Sequence, residues 1–317
     1  MDYALIESND LDAGTGVVAR GVRRTFGDVV AVDSMDLDVP PGRVTALVGP
    51  NGSGKTTLLL VLATLLAPDA GTVTVAGADP RTDPWEVRRR TGWMPDAFGT
   101  WETLTCREVL ETVAAAYRLP RAGIRARVDE LLELVHLADL ADRPTQVLSR
   151  GQKQRLGLAR ALVHSPAVLL LDEPASGLDP RSRIELRGIV RDLATAGAAV
   201  LVSSHVLAEL DTLADRAVFV SGGCTVSVRD LDVASAGPRT WTVRALDAGA
   251  LERALDALGR VHGDPGVDGA VELELTGDDD AASLLSALVH DDVPVVSLRP
   301  SGGVLEQAYL SLTKERQ

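Results

Sequence analysis

Hydrophobic positions repeat along this chain in three ways, and each predicts a different element. Met35, Leu37 and Val39 alternate with polar residues, and Val73 and Val75 do so after the turn at Ala70-Gly71. A period of two predicts strands buried on one face. The runs Val168 to Leu171 and Ala198 to Val202 are unbroken, which predicts parallel strands covered on both faces, and Val44 to Val48 is a further apolar run that reads as a strand. From about Thr105 to Val163 the spacing becomes helical. Thr105-Cys106-Arg107-Glu108 is a capping box opening one helix, and leucines at helical spacing extend from Val128 to Leu140.

Past Ser235-Ala236-Gly237-Pro238 the pattern restarts. Residues 240–246, 271–275 and 293–298 read as strands, and 251–258, 281–289 and 304–312 as helices. The expected organisation is an acidic, disordered leader over 1–16, an α/β unit over 17–228, a linker over 229–239 and a small α+β domain over 240–317. No internal repeat or low-complexity tract is visible.

Composition narrows the function classes. The chain has 317 residues, more than one typical domain, and its 45% hydrophobic content is ample for a buried core. A net charge of −13 argues against a nucleic-acid partner, which demands a basic surface. Cys106 and Cys224 are too few for a disulfide framework and lack metal-site spacing, so they suit a reducing cytosol. The longest apolar run, Leu58 to Ala67, is far short of the roughly 18 residues of a membrane span. The start, Met1 to Gly16, lacks the basic region of a secretory signal. Gly277-Asp278-Asp279-Asp280 lacks the alternating ligand spacing of a calcium loop and reads as a turn with a helix cap.

Gly49-Pro50-Asn51-Gly52-Ser53-Gly54-Lys55-Thr56-Thr57 carries the chemistry. It sits between the strand Val44 to Val48 and the helix beginning near Leu58, the context in which GxxxxGK[ST] binds phosphate. The glycines let backbone N–H groups close around an anion, and the helix adds the positive end of its dipole. Lys55 can reach the β- and γ-phosphates of a nucleoside triphosphate, and Thr56 offers its hydroxyl to Mg²⁺. Lysine occurs only three times in the chain, so its place here is informative.

Three further stretches complete a candidate site. The strand Val168 to Leu171 exits into Asp172-Glu173, putting two carboxylates at the carboxyl edge of a parallel sheet. Asp172 can hold Mg²⁺ or its waters, and Glu173 can take a proton from an attacking water. The strand Val200 to Val202 exits through Ser203-Ser204 to His205, which suits either a γ-phosphate contact or a helix-capping role. Ser149, in Leu148-Ser149-Arg150-Gly151-Gln152, is a natural N-cap and makes a second helix N-terminus available to an anion.

In this order the motifs resemble the nucleotide-binding subunit of ATP-binding-cassette (ABC) transporters, and the resemblance covers Val17 to about Val228. It implies an α/β phosphate-loop domain with a mixed sheet plus antiparallel β and helical subdomains. It also implies ATP and Mg²⁺ as ligands and two such domains paired head to tail. Each ATP would lie between the phosphate loop of one copy and Ser149, Gly151 and Gln152 of the other. Phe26 matches the residue that stacks on adenine, the alternative being a core phenylalanine. Asp179, in Ser176-Gly177-Leu178-Asp179, matches the loop that communicates across the dimer. Glu173 would be the general base and His205 the γ-phosphate contact.

Two positions depart from the pattern. Arg150 replaces the first of two glycines, and Asp96, in Trp93-Met94-Pro95-Asp96, stands where glutamine is usual. An ionised aspartate only accepts hydrogen bonds and adds negative charge. Asp96 is expected to serve the metal side and to link the site to a membrane partner, with Phe98 to Leu104 lining the groove for that partner.

The ending Val304-Leu305-Glu306-Gln307-Ala308-Tyr309-Leu310 resembles that of bacterial drug-exporter ATPase subunits. The resemblance implies an ATPase on the inner face of the cell membrane, driving a separate integral-membrane permease. An importer or lipid/glycan-transport subunit, a soluble non-transport ABC ATPase and a nucleotide-sensing regulator are the alternatives.

Overall fold

The computed structural model describes residues 16–96, 99, 101–231, 238–266, 269–303, 305–307 and 309. All of the expected leader except Gly16 lies outside these residues, as do 232–237 of the expected linker and much of the helix expected over 304–312. Phe98 and Thr100, in the segment expected to receive a partner, also lie outside them. The described residues divide into two compact units. The first runs to Val228 apart from Leu210–Thr212, and the second comprises those three residues and the chain from Arg229.

The first unit is built on nine strands: β1 (Val17–Phe26), β2 (Val29–Val39), β3 (Val44–Val48), β4 (Ala70–Val75), β5 (Thr91–Met94), β6 (Val168–Asp172), β7 (Ala199–Ser204), β8 (Arg216–Ser221) and β9 (Cys224–Asp230). Their order across the sheet is β4-β1-β2-β9-β8-β3-β7-β6-β5. β1 pairs antiparallel with β2 and β4 and buries Val17, Ala19 and Val22, alternate or nearly alternate positions. β6 and β7 are buried at every residue, as their continuous apolar runs predict for parallel strands covered on both faces, and so is β3.

Parallel pairing brings three strand ends side by side. Val48 at the end of β3 lies opposite Ser204 of β7, and Asp172 at the end of β6 lies opposite Ser203. The phosphate-binding loop, the acidic pair and His205 therefore leave the sheet along one carboxyl edge. Helix α1 (Lys55–Leu62) buries Leu58, Leu59, Val61 and Leu62 in a core with Met35, Leu37, Leu47, Leu170 and Leu201. Each such side chain contributes about 1.5–3 kcal/mol of hydrophobic stabilisation, so the loop ahead of α1 is held at both ends.

Further helices are α2 (Pro84–Arg90), α3 (Cys106–Ala116), α4 (Arg121–Leu134), α5 (Arg150–Leu162) and α6 (Pro180–Thr195). The Thr105 capping box forms as the sequence predicts, with Glu108 N–H donating to Thr105 Oγ1 and Thr105 N–H to Glu108 Oε2. The helix expected to continue to Leu140 stops at Leu134. His136 takes φ 54, which ends the helix, and Leu137 turns back into the core at 1% exposure. Arg107 ties the ends of this block together through Asp129 and Asp142.

In the second unit, β10 (Pro238–Ala245) is the centre of an antiparallel sheet, flanked by β11 (Ala270–Thr276) and β12 (Val295–Pro300). Helices Ala248–Ala257 and Gly277–His290 bury Leu251, Leu255, Leu284 and Leu288 against Trp241, Val243 and Leu273. The Gly277–Asp280 stretch is the first turn of the second helix. The expected cap does not form from this stretch: the N-cap residue is Thr276, with no side-chain cap hydrogen bond, and Asp280 accepts hydrogen bonds from the Thr276 N–H and from Arg260.

Candidate functional site

The loop between β3 and α1 has the conformation that its glycines require. Gly54 takes φ 96, and a Cβ there would lie 2.4 Å from the carbonyl oxygen of Ala31. At Gly49 a Cβ would lie 2.3 Å from the carbonyl oxygen of Val220. The N-terminus of α1 differs from those of α3, α5 and α6 in that no side chain caps it. Ser53 Oγ is buried without a hydrogen-bond partner at the same turn. Uncapped N–H groups and an unsatisfied hydroxyl make a cradle for an anion.

Lys55 lies inside this cradle with 7% exposure, its Nζ donating to the carbonyl oxygens of Gly49 (2.6 Å) and Pro50 (3.1 Å). Burial pulls its ammonium below the ordinary lysine range, and Glu173 and then Asp172 pull it back up. A phosphate arriving here would meet a cation that is already desolvated and positioned.

Asp172 is 3% exposed and accepts two hydroxyl hydrogen bonds, from Thr56 Oγ1 at 3.0 Å and from Ser203 Oγ. Its neighbour Glu173 takes φ 49, a left-handed conformation uncommon outside glycine. That turn aims the two carboxylates differently. The Glu173 N–H donates to the Ser203 carbonyl (3.1 Å) and to Ser203 Oγ (3.2 Å). Its Oε2 lies 2.9 Å from Nδ1 of His205. The imidazole of His205 is thus paired with Glu173 at the wall of the site.

These groups line one open cavity of about 530 Å³. Its walls are Val29, Val30 and Ala31 of β2, Asn51, Gly52 and Gly54 to Thr57 of the loop, and Asp96, Asp172, Glu173, Ser176 and His205. Six sites of the sequence, from the loop to the histidine, thus converge on a polar pocket at the sheet edge. Phe26 is outside the core at 45% exposure, paired in β-register with Val29 of the cavity wall, and the Arg24 guanidinium lies 4.9 Å from its ring centre.

A model of the ABC transporter family matches residues 32–176. A daunorubicin resistance ATP-binding protein, DrrA3 of Streptomyces coeruleorubidus, is 42% identical over 215 residues, 68% of this chain and 68% of that protein. The chain belongs to the ABC transporter family. A sulfate/thiosulfate import ATP-binding protein, CysA of Mycolicibacterium paratuberculosis, is 40% identical over 67% of this chain and 60% of its own length. Among solved structures, the dimeric post-hydrolysis state of the ATP-binding cassette MJ0796, bound to ADP and phosphate, superposes with a TM-score of 0.62. It is 26% identical, over 68% of this chain and 98% of that one. As an ABC transporter ATP-binding subunit, this chain has the architecture its motif order predicts.

The remaining residues of the ABC pattern lie away from the cavity. Ser149 and Gln152 form a reciprocal cap at the start of α5, Gln152 N–H donating to Ser149 Oγ (3.2 Å) and Ser149 N–H to Gln152 Oε1 (2.9 Å). Gly151, next to them, has only the side chain of Leu178 and the carbonyl of Gly177 close to where a Cβ would stand. Asp179 caps α6, accepting from the Ser182 N–H at 3.0 Å. The two hydrogen bonds from Ser182 hold its carboxyl below the usual range. Sequence reasoning missed Ser203 and Gln154. Ser203 Oγ donates to the Asp172 carboxylate and accepts from the Glu173 N–H, and Gln154, 4% exposed, donates to the Glu173 carbonyl at 3.1 Å.

Among the described residues no helix is long and apolar enough to cross a membrane. Nor do three or more His, Cys, Asp or Glu side chains cluster as a metal cage. The donors present suit a hydrated magnesium ion, which is held by one or two carboxylates together with substrate phosphates.

Proposed function

We propose that this chain is the ATP-hydrolysing subunit of an exporter of small, drug-like or lipid-like molecules. It works as a head-to-tail pair on a separate integral-membrane permease, at the inner face of the membrane. The observation that carries the reading is the cavity in which the uncapped start of α1, Lys55, the Thr56–Asp172 pair and the Glu173–His205 pair converge. The likeness to a daunorubicin resistance ATP-binding protein supports export.

In this reading the backbone N–H groups from Asn51 to Thr57 hold the phosphates, and Lys55 neutralises the β- and γ-phosphate oxygens. Phe26 stacks its free face on the adenine. Mg²⁺, which when bound neutralises phosphate charge, would be held by Thr56 and Asp172, with Asp96 lining the same cavity. Glu173 takes the proton of the attacking water, and His205 orients Glu173 while facing the γ-phosphate. The turn Ser149–Gln152 of a second copy closes the site, and Asp179 fixes the loop that meets that copy. Closing and reopening of the pair would move the permease between its two states. Residues 240–317 form an accessory domain of this subunit.

The decisive measurement is phosphate release by the purified chain. Glu173→Gln is expected to slow hydrolysis at least ~100-fold while ATP binding persists, the size of effect expected for a lost general base. Lys55→Ala should lose nucleotide binding. Normal turnover by Glu173→Gln would remove the assigned base. The likeness to a sulfate/thiosulfate import protein favours a second reading as an importer subunit. Vesicles carrying the permease decide between them by the direction of ATP-driven transport.

A further inference from the structure

Glu173 is held in its left-handed conformation from several sides. Its N–H is fixed by β7 through Ser203, and its carbonyl accepts from the Ser176 N–H at 3.0 Å. One further bond comes from α5: Gln154 Nε2 donates to that same carbonyl at 3.1 Å. Gln154 is 4% exposed, so its amide is committed to this contact and shielded from water.

One turn earlier on α5, Arg150 Nη2 donates to Ser176 Oγ at 2.8 Å. Residues 150 and 154 stand four apart, on one face of the helix. Two side chains of the same face therefore grip the segment 173–176, and α5 is the helix that the Ser149 turn opens. Any shift of that turn along or about the helix axis is carried to the peptide of Glu173.

We propose that Gln154 is a positioning residue for hydrolysis: its bond to the Glu173 carbonyl makes the aim of the Glu173 carboxylate depend on the placement of α5. A backbone with positive φ in a non-glycine residue persists only where its surroundings over-determine it, and Gln154 is one of those determinants. The proposal rests on Glu173 being the base, and Arg150 assists by holding Ser176.

The test uses the full chain and ATP. Gln154→Met keeps the length of the side chain and removes the donor. Its kcat is expected to fall ~10–100-fold, the scale of a catalytic group misplaced by about 1 Å, with the Kd for ATP within about twofold of wild type. In the Glu173→Gln background the same substitution should slow residual hydrolysis no further, because its effect passes through the base. Gln154→Leu, which also lacks a donor, repeats both measurements should the methionine variant fail to fold. The proposal is overturned if kcat stays within twofold of wild type. It is equally overturned if the effect multiplies with that of Glu173→Gln. Normal hydrolysis by Glu173→Gln alone would instead locate the failure in the choice of base.

Discussion

His164 makes the stability of the helical block depend on pH in a direction that the structure dictates. Its ring stacks on Tyr117 with centroids 3.8 Å apart and planes 5° from parallel. Nε2 lies 3.1 Å from the carbonyl oxygen of Thr91, so the neutral ring carries its proton there, and Nδ1 is buried without a partner. A second proton would put charge where no acceptor exists. Burial accordingly pulls the imidazole from 6.5 down to about 4, with the Thr91 carbonyl opposing and the Arg127 charge adding to the fall.

A histidine depressed in the folded state binds protons more readily when unfolded. The stability it permits is complete above about pH 6.5 and is lost as pH falls towards 4. Integrating between those values gives a loss of roughly 2 kcal/mol at pH 5 and about 3 kcal/mol at pH 4. Other groups also titrate in this range, so the useful quantity is the difference between two proteins. His164→Phe keeps the stack and removes the titration, at a constant cost of about 1 kcal/mol for the lost hydrogen bond. Urea unfolding at pH 8 and pH 5, followed by circular dichroism, should show wild type losing roughly 2 kcal/mol more than the variant. Equal losses would refute the reasoning.

Gly54→Ala should destabilise the chain by about 3 kcal/mol, from a left-handed backbone and a Cβ placed against the Ala31 carbonyl. A thermal midpoint within about 2 °C of wild type would contradict that, since each kcal/mol corresponds to roughly 2–4 °C in a domain of this size. Ser203→Ala removes one of two hydroxyl donors to the buried Asp172 and should cost about 1.5–3 kcal/mol, measurable by urea midpoint. Unchanged stability would mean that Asp172 does not rely on it. Asp96→Asn should alter the Mg²⁺ dependence of ATPase activity or its coupling to transport, as expected when one carboxylate lining the cavity loses its charge. No change in either would remove the proposed role.

What the sequence determined alone is local. The glycine pattern from 49 to 57, the capping box at Thr105 with the N-cap at Ser149, and the burial of β6 and β7 follow from contacts within a few residues, and all three were legible. Asp172, Glu173 and His205 could be named as strand-end residues for the same reason. Which strand lies beside which could not, because a strand's neighbours are set by packing over the whole sheet. Only the pairing of β6 with β7 brings Ser203 between the Asp172 carboxylate and the Glu173 N–H, and His205 onto Glu173. The stop at Leu134 and the reach of Gln154 to Glu173 are likewise products of the fold, where burying Leu137 and satisfying a carbonyl outweigh local helical preference.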